Sequence, residues 1–244
     1  MKDITFITTT LNPSFAEISR AEIKRFFQES THHLVYGDHR RWPSSWFDWL
    51  GILKNIQTPY YCFLDDDSFI TLRCEIERAV NLMKDESAHL YGPCDAWVMW
   101  RAGNPVACNP FFMIGDTQFT NDSWNKFSSA KFEQRWFDEL EYPFEKINAD
   151  TGKLDDSNIV LFPDYEPFYC FFWSLKKNGG KFKYFYQEQD PVHKGTNLKI
   201  SPESPILCKH LWYSRFWNSN IDVFGIKNVD RYRNFLKDEY RFAI

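Results

Sequence analysis

Tyr60-Tyr61-Cys62-Phe63-Leu64-Asp65-Asp66-Asp67-Ser68-Phe69 is the stretch on which the fold turns. Five apolar or aromatic residues run straight into three consecutive carboxylates. A run with no polar alternation is the pattern of a strand buried on both faces. Acids at the carboxyl end of such a strand fall where open α/β sheets place their ligands. Carboxylates this close repel one another and raise each other's pKa unless a cation or a set of donors holds them. A divalent cation resolves the conflict, and hard oxygen donors suit Mg²⁺ or Mn²⁺. A second reading stays open on the run alone: an acidic turn that caps a helix, since a helical pattern starts just beyond Thr71.

Working outward, Ile4–Thr10 is rich in β-branched and aromatic residues and predicts a first strand, broken by Asn12-Pro13. Ser14 and Glu17 match a capping box for a helix carrying Phe15, Ile18, Phe26 and Phe27. His33–Tyr36 predicts a second strand ending at Gly37-Asp38, with His32-His33 at its start in a structural role. Ser45 and Asp48 repeat the capping pattern, and Trp46, Trp49, Leu50 and Leu53 form an apolar helical stripe. Beyond the acids, Leu72, Ile76, Ala79, Val80 and Met83 share one helix face. This alternation of strand and helix is that of a doubly wound α/β sheet. Further strands are predicted at Leu90-Tyr91, Phe111–Ile114 and Lys181–Tyr186, and a helix over 124–140. Residues 145–158 read as a polar loop. Phe168, Phe171, Phe172 and Leu175 give another helical face, stopped by Gly179-Gly180. With no internal repeat or low-complexity linker, 244 residues predict one domain.

Aromatic residues make up 19% of the chain, more than a core alone usually needs, so some rings are expected to line a pocket. An aromatic-rich core accounts for the same number. A net charge of −4 and a pI near 5.9 argue against the chain as a whole being an electrostatic partner for nucleic acid. Local basic clusters (His39-Arg40-Arg41, Lys176-Lys177, Lys181, Lys183) still allow a small anionic ligand. The six cysteines show no CxxC spacing, and Cys62 and Cys170 lie in apolar runs, as reduced core cysteines do. No signal peptide is visible, nor any apolar stretch approaching about 18–20 residues. A cytoplasmic protein without a transmembrane segment is the expectation.

Five pieces now stand in register: the first strand ending in Thr8-Thr9-Thr10, the second ending at Asp38, the D-x-D run Asp65-Asp66-Asp67, the acidic Asp164-Tyr165-Glu166 before a helix, and His210-Leu211-Trp212-Tyr213-Ser214-Arg215. Together they resemble the nucleotide-sugar glycosyltransferases of the GT-A fold, over positions 3–215. The resemblance implies a single α/β domain with a Rossmann-type mixed sheet flanked by helices. Residues 1–100 would form its nucleotide-sugar-binding half, 101–215 its acceptor-binding half and 216–244 a C-terminal helical tail. It also implies transfer of a hexosyl or pentosyl unit from a uridine-linked donor to a hydroxyl acceptor, a glycan first among them. Thr8, Thr9, Thr10 and Asp38 would hold the nucleobase and ribose. Asp65 and Asp66 would face the donor, Asp65 through ribose or metal-bound water. Asp67 would ligate Mn²⁺ (or Mg²⁺), with Asp65 and His210 completing the shell and Arg215 clamping the diphosphate.

The chemistry agrees with these assignments. Expelling a nucleoside diphosphate builds negative charge on the leaving oxygen, which a bridging cation neutralises. An imidazole among carboxylates favours Mn²⁺ over Mg²⁺. If the anomeric centre inverts, one carboxylate must deprotonate the acceptor hydroxyl, and Asp164 and Glu166 are the candidates. A helix N-terminus would weaken Asp164 as a base by stabilising its anion. His193 in Asp190-Pro191-Val192-His193-Lys194 is an alternative to His210. Trp97 and Trp100 are read either as a stacking platform or as core, and Asn109-Pro110-Phe111-Phe112 falls on the acceptor side by resemblance alone.

Other functions fit less well. A haloacid-dehalogenase phosphatase also ends a strand in D-x-D, but it places that strand first and wants Thr or Val where Phe69 stands. A two-metal nuclease needs more dispersed acids and a basic groove. A phage-type glycosyltransferase acting on a hydroxymethylated DNA base fits the aromatic surplus, since a flipped base needs a stacking pocket, yet the acidic charge opposes duplex binding. A non-catalytic nucleotide-sugar-binding module is the alternative outside enzymes.

Overall fold

The apolar run is indeed a strand. The computed structural model describes residues 2–38, 44–97, 103–138, 166–212, 218–223 and 225–240. In chain order its elements are β1 (Ile4–Thr10), α1 (Pro13–Phe26), β2 (His32–Tyr36), α2 (Asp48–Leu53), β3 (Tyr60–Asp65), β4 (Ser68–Ile70), α3 (Arg73–Asp85) and β5 (Leu90–Pro93). There follow β6 (Phe112–Asp116), α4 (Thr117–Phe127), α5 (Arg135–Asp138), α6 (Tyr169–Lys177), β7 (Phe182–Gln189), β8 (Thr196–Lys199), β9 (Cys208–His210), β10 (Asp222–Val223), β11 (Ile226–Lys227) and α7 (Asn228–Tyr240).

The chain forms a single α/β domain around a large curled mixed sheet. Its order is β2-β1-β3-β6-β5-β7-β8-β9-β4. β1 runs parallel to β2 and β3, and β5 parallel to β7; the other ladders are antiparallel. Side chains alternate across β3, as a pleated strand requires. Cys62 and Leu64 join Ile76, Val80 and Phe185 in one core cluster, whereas Tyr61 and Phe63 join Trp49, Phe171 and Trp173 in another. Both faces of the run are therefore buried, and most of the aromatic surplus goes into the second cluster. A third cluster joins Phe15, Phe69 and Leu211 to Tyr232, Phe235 and Leu236 of α7.

Only Asp66 and Asp67 separate β3 from β4, yet the two strands occupy the third and ninth places in the sheet. The sheet curls back on itself, and the acidic residues sit at the closure. This overturns the reading of the acids as a helix-capping turn. The Thr71 backbone N–H donates to the Leu207 carbonyl at 3.0 Å, and the residue capping α3 is Leu72.

Local expectations are corrected in three further places. α1 starts at Pro13, because a proline in the first helical turn has no N–H to satisfy; Asn12, not Ser14, is its N-cap. Ser45 lies in a short 3₁₀ turn (Ser44–Phe47) and donates to the Asp38 carbonyl at 3.3 Å instead of capping α2. The helix expected over 124–140 is two: α4 begins earlier, where Asp116 accepts from the Phe119 N–H at 2.7 Å, and ends at Phe127 before Ser128-Ser129, residues that bond their own backbone readily. The 145–158 loop lies outside the described residues. Among the described residues no helix is long and apolar enough to cross a membrane.

Candidate metal and donor site

Parallel pairing of β1 with β3 sets Thr9 opposite Asp65. The Thr9 hydroxyl donates to Asp65 Oδ1 at 3.1 Å, and the Asp65 N–H donates to the Phe111 carbonyl at 2.9 Å. Asp66 turns toward the end of β1, where the Thr10 hydroxyl donates to its Oδ2 while accepting from the Asn12 N–H at 2.9 Å. Asp67 directly precedes β4, whose pairing with β9 brings His210 opposite Ser68. His210 Nε2 lies 2.9 Å from Asp67 Oδ1, and the Tyr232 hydroxyl 3.0 Å from Asp67 Oδ2. Burial, with Asp67 alongside, pushes the Tyr232 phenol well above its ordinary pKa, so it stays a donor.

The imidazole is held by two aromatic rings that also touch each other, their centroids 5.2 Å apart. Phe111 stacks flat on it, with centroids 4.1 Å apart and planes 6° from parallel, and Trp212 meets it at 4.1 Å and 60°. Its other nitrogen, Nδ1, is buried without a hydrogen-bond partner among the described residues.

Ligand atoms of Asp65, Asp67 and His210 all lie within 4.8 Å of one another. Two adjacent ligands of an octahedral ion with bonds of about 2.1 Å stand about 3.0 Å apart; the Asp67–His210 separation of 2.9 Å matches that. Two carboxylates and one imidazole suit a divalent transition metal better than Ca²⁺, which takes oxygen donors. The residues fit a divalent cation.

These side chains share a cavity of about 280 Å³. Thr9, Thr10, Asp65, Asp66, Asp67, Glu166 and His210, all expected in the site, line it. Leu11, Val35, Trp46 and Phe168 supply apolar surface, and Asn109, Pro110 and Trp212 also contribute. Thr8 is buried with its hydroxyl 2.9 Å from His32 Nε2. Asp38 adjoins the lining residue Gly37. Asp164, Arg215 and Trp100 lie outside the described residues, as does the Trp97 side chain. His193 packs edge-on against Phe235 (5.1 Å, 89°) and has no place in the Asp65–Asp67–His210 group. Phe111 serves as the floor under His210, and Phe112 packs against Phe185 in the core.

Two supporting residues escaped the sequence reading. Tyr232 is one. The other is Asp95, fully buried, which accepts from Tyr169 Oη at 2.6 Å, from Asn109 Nδ2 at 2.9 Å and from the Asn104 N–H at 3.2 Å. Asp95 thereby ties the cavity-lining Asn109 to the start of α6, three residues beyond Glu166. Neither Asp95 nor Tyr232 sits in a pattern that distinguishes it from an ordinary turn or core residue.

No protein-family model matches the chain, and no curated protein matches it in sequence. Among solved structures it is similar to a mannosyltransferase from Pyrobaculum calidifontis in complex with GDP-Man and Mn²⁺, at 10% identity over 49% of this chain and 46% of that one, TM-score 0.36. It is similar also to a glycosyltransferase involved in the glycosylation of the major capsid of PBCV-1, at 12% identity over 57% and 76% of the two chains, TM-score 0.35. A third likeness is to 4-diphosphocytidyl-2C-methyl-D-erythritol synthase from Anaerococcus prevotii, at 11% identity over 72% and 99%, TM-score 0.38. The chain spans under half the length of the mannosyltransferase. Likenesses this distant carry no residue-by-residue correspondence.

Proposed function

We propose that the chain is a divalent-metal-dependent glycosyltransferase of the GT-A fold, moving a sugar from a nucleotide-sugar donor to a hydroxyl acceptor, a glycan first among them. One observation carries this reading: Asp65 at the end of β3, Asp67 in the link to β4 and His210 on the distant β9 bring their ligand atoms within 4.8 Å of one another in the lining of one cavity. Two of the three acids of the run are almost fully buried, Asp66 at 4% and Asp67 at 3% exposure. Acids so placed favour binding a cation over remaining mutually repelled.

Charge supports the same reading. The described lining residues include four carboxylates and neither Lys nor Arg. A diphosphate entering that cavity needs a cation between it and the acids. Asp65, Asp67 and His210 would hold Mn²⁺, which when bound supplies positive charge to the departing diphosphate. Thr9 and Thr10 fix the carboxylates of Asp65 and Asp66 by hydrogen bonds, so the acids are oriented before a donor arrives. Leu11, Val35 and Trp46 offer apolar surface to the base. Glu166, half-buried in the lining, is the base that takes the acceptor proton if the reaction inverts, with Asp164 its competitor. A reducing cytoplasmic setting belongs to the proposal, none of the six cysteines being in a disulfide among the described residues.

Calorimetry with Mn²⁺ on wild type and Asp67→Ala, followed by assays of nucleotide-sugar hydrolysis and transfer, tests the reading. Wild type should bind Mn²⁺ and cleave a donor only in its presence, and Asp67→Ala should do neither. Equal Mn²⁺ binding by the two proteins would reject the metal assignment.

A further inference from the structure

We infer that Tyr232, on α7, is a positioning residue for the cation site: its hydroxyl engages one oxygen of Asp67 so that the other, Oδ1, is presented beside His210. This role rests on reading Asp65, Asp67 and His210 as that site, and it adds a helix lying 165 positions along the chain from the acid it orients.

The Tyr232 hydroxyl has two acceptors in reach, Asp67 Oδ2 at 3.0 Å and the Trp212 carbonyl at 2.8 Å, and one proton to give. A carboxylate is the stronger acceptor. The Trp212 carbonyl is neutral and already receives an N–H of the Arg231 guanidinium, which makes it the weaker acceptor, and the phenol proton goes to Asp67. Asp67 thus has two distinct oxygens: Oδ2 is engaged by the phenol, and Oδ1 faces His210 Nε2 at 2.9 Å. A carboxylate divided in this way offers one oxygen to a metal, and an outer hydrogen bond sets its orientation.

The same helix reaches the second ligand. Trp212 adopts φ of +62°, a left-handed conformation that a bulky side chain holds only when its surroundings enforce it. Arg231 holds its carbonyl, and Thr196 accepts from its indole N–H at 2.9 Å. Held in that conformation, its ring packs on His210 beside the Phe111 stack, 5.2 Å from the Phe111 ring. α7 therefore fixes Asp67 directly and His210 through Trp212.

Packing alone does not call for tyrosine here. The ring meets Phe15 edge-on at 5.0 Å in the third core cluster, which phenylalanine would do equally. Tyr232→Phe removes only the hydroxyl. Mn²⁺ calorimetry on the full chain should show affinity lowered roughly 10- to 100-fold. Phe235→Leu, which loosens the same helix without touching Asp67, should bind as wild type does. Unchanged affinity in Tyr232→Phe overturns the role, and so does an equal loss in Phe235→Leu, which would trace the effect to helix packing. Should Tyr232→Phe fail to fold, ring-fluorinated tyrosine placed at 232 in the otherwise native chain provides the reading. Its fluorine resonance should move when Mg²⁺ is added, and a stationary resonance overturns the role. If wild type itself takes up no Mn²⁺, the cation site falls and Tyr232's role with it; loss confined to the Tyr232 comparison leaves the site standing.

Discussion

Asp67 and Glu166 line the same cavity in different surroundings. Asp67 is almost wholly buried and hydrogen-bonded at both oxygens, whereas Glu166 is half-buried beside the start of α6. The first suits a ligand and the second a base exposed to the acceptor. Glu166→Gln should therefore lower the turnover number about 10²- to 10⁴-fold while the donor Kd, measured with Mn²⁺ present, stays within about twofold of wild type. Collapse of donor binding would instead place Glu166 in the donor site. The acids of the D-x-D run were legible because an apolar run ending in carboxylates has few explanations. His210 was preferred to His193 by resemblance alone, since the choice depends physically on which of them the sheet brings to Asp67. Tyr232 was not legible at all. In sequence it is an aromatic residue in an amphipathic helix, and its value comes from a contact across 165 positions. Asp95 was hidden for the same reason, its partners Asn109 and Tyr169 being fixed by tertiary structure alone.

Among the elements, most of those read correctly are long enough to show a period, the four-residue β5 being the exception. β1, β3, α3, α6 and β7 fall close to their predicted places, whereas β4, β8 and β9 have three or four residues each, too few for alternation to register. The missed strands are the ones that deliver His210. Gly195, just before β8, lies so close that a Cβ there would stand 2.4 Å from the His210 carbonyl oxygen. Gly195→Ala should thus force β9 aside, costing roughly 1–3 kcal/mol and weakening Mn²⁺ binding together with it. Unmoved denaturation and calorimetry would show that the backbone yields freely there. A second device links α1 to β2. Burial raises the Glu22 carboxyl from 4.5 to about 7 against the lowering effect of Arg25, and burial with nearby Arg20 lowers His32 from 6.5 to about 4. Native Glu22 holds its proton above the pH at which the unfolded chain releases it, so its stabilisation is lost as pH rises from 4.5 through 7. Native His32 stays neutral below its unfolded pKa, so its contribution is lost as pH falls from 6.5 through 4. The two slopes oppose. Glu22→Gln should gain on wild type by on the order of 2 kcal/mol between about pH 4.5 and 7, and His32→Gln should gain on wild type as the pH is lowered through the other window. Urea melts across both windows check the signs; parallel curves for wild type and variants would mean neither group is perturbed.

At the scale of the whole molecule, the strand–helix alternation announced an α/β domain but not its closure. Periodicity is blind to β3 and β4 being consecutive in sequence and six places apart in sheet order. That closure puts the acidic run against β9 and α7, so the site exists only when the sheet has curled and the last described helix has docked. Ligands that require the completed site must then stabilise the global fold and not merely a loop. A donor at about 100 times its Kd adds about 2.7 kcal/mol to the native state. For a chain of 244 residues, this corresponds to a rise in Tm of roughly 5–10 °C. The rise should need nucleotide sugar and Mn²⁺ together, vanish with a chelator, and be absent in Asp67→Ala, because the diphosphate cannot approach the four carboxylates without the cation. A nucleotide sugar that stabilises equally with and without Mn²⁺ would mean that the base and sugar contacts bind alone. The acids at the sheet's closure would then have a purely structural role.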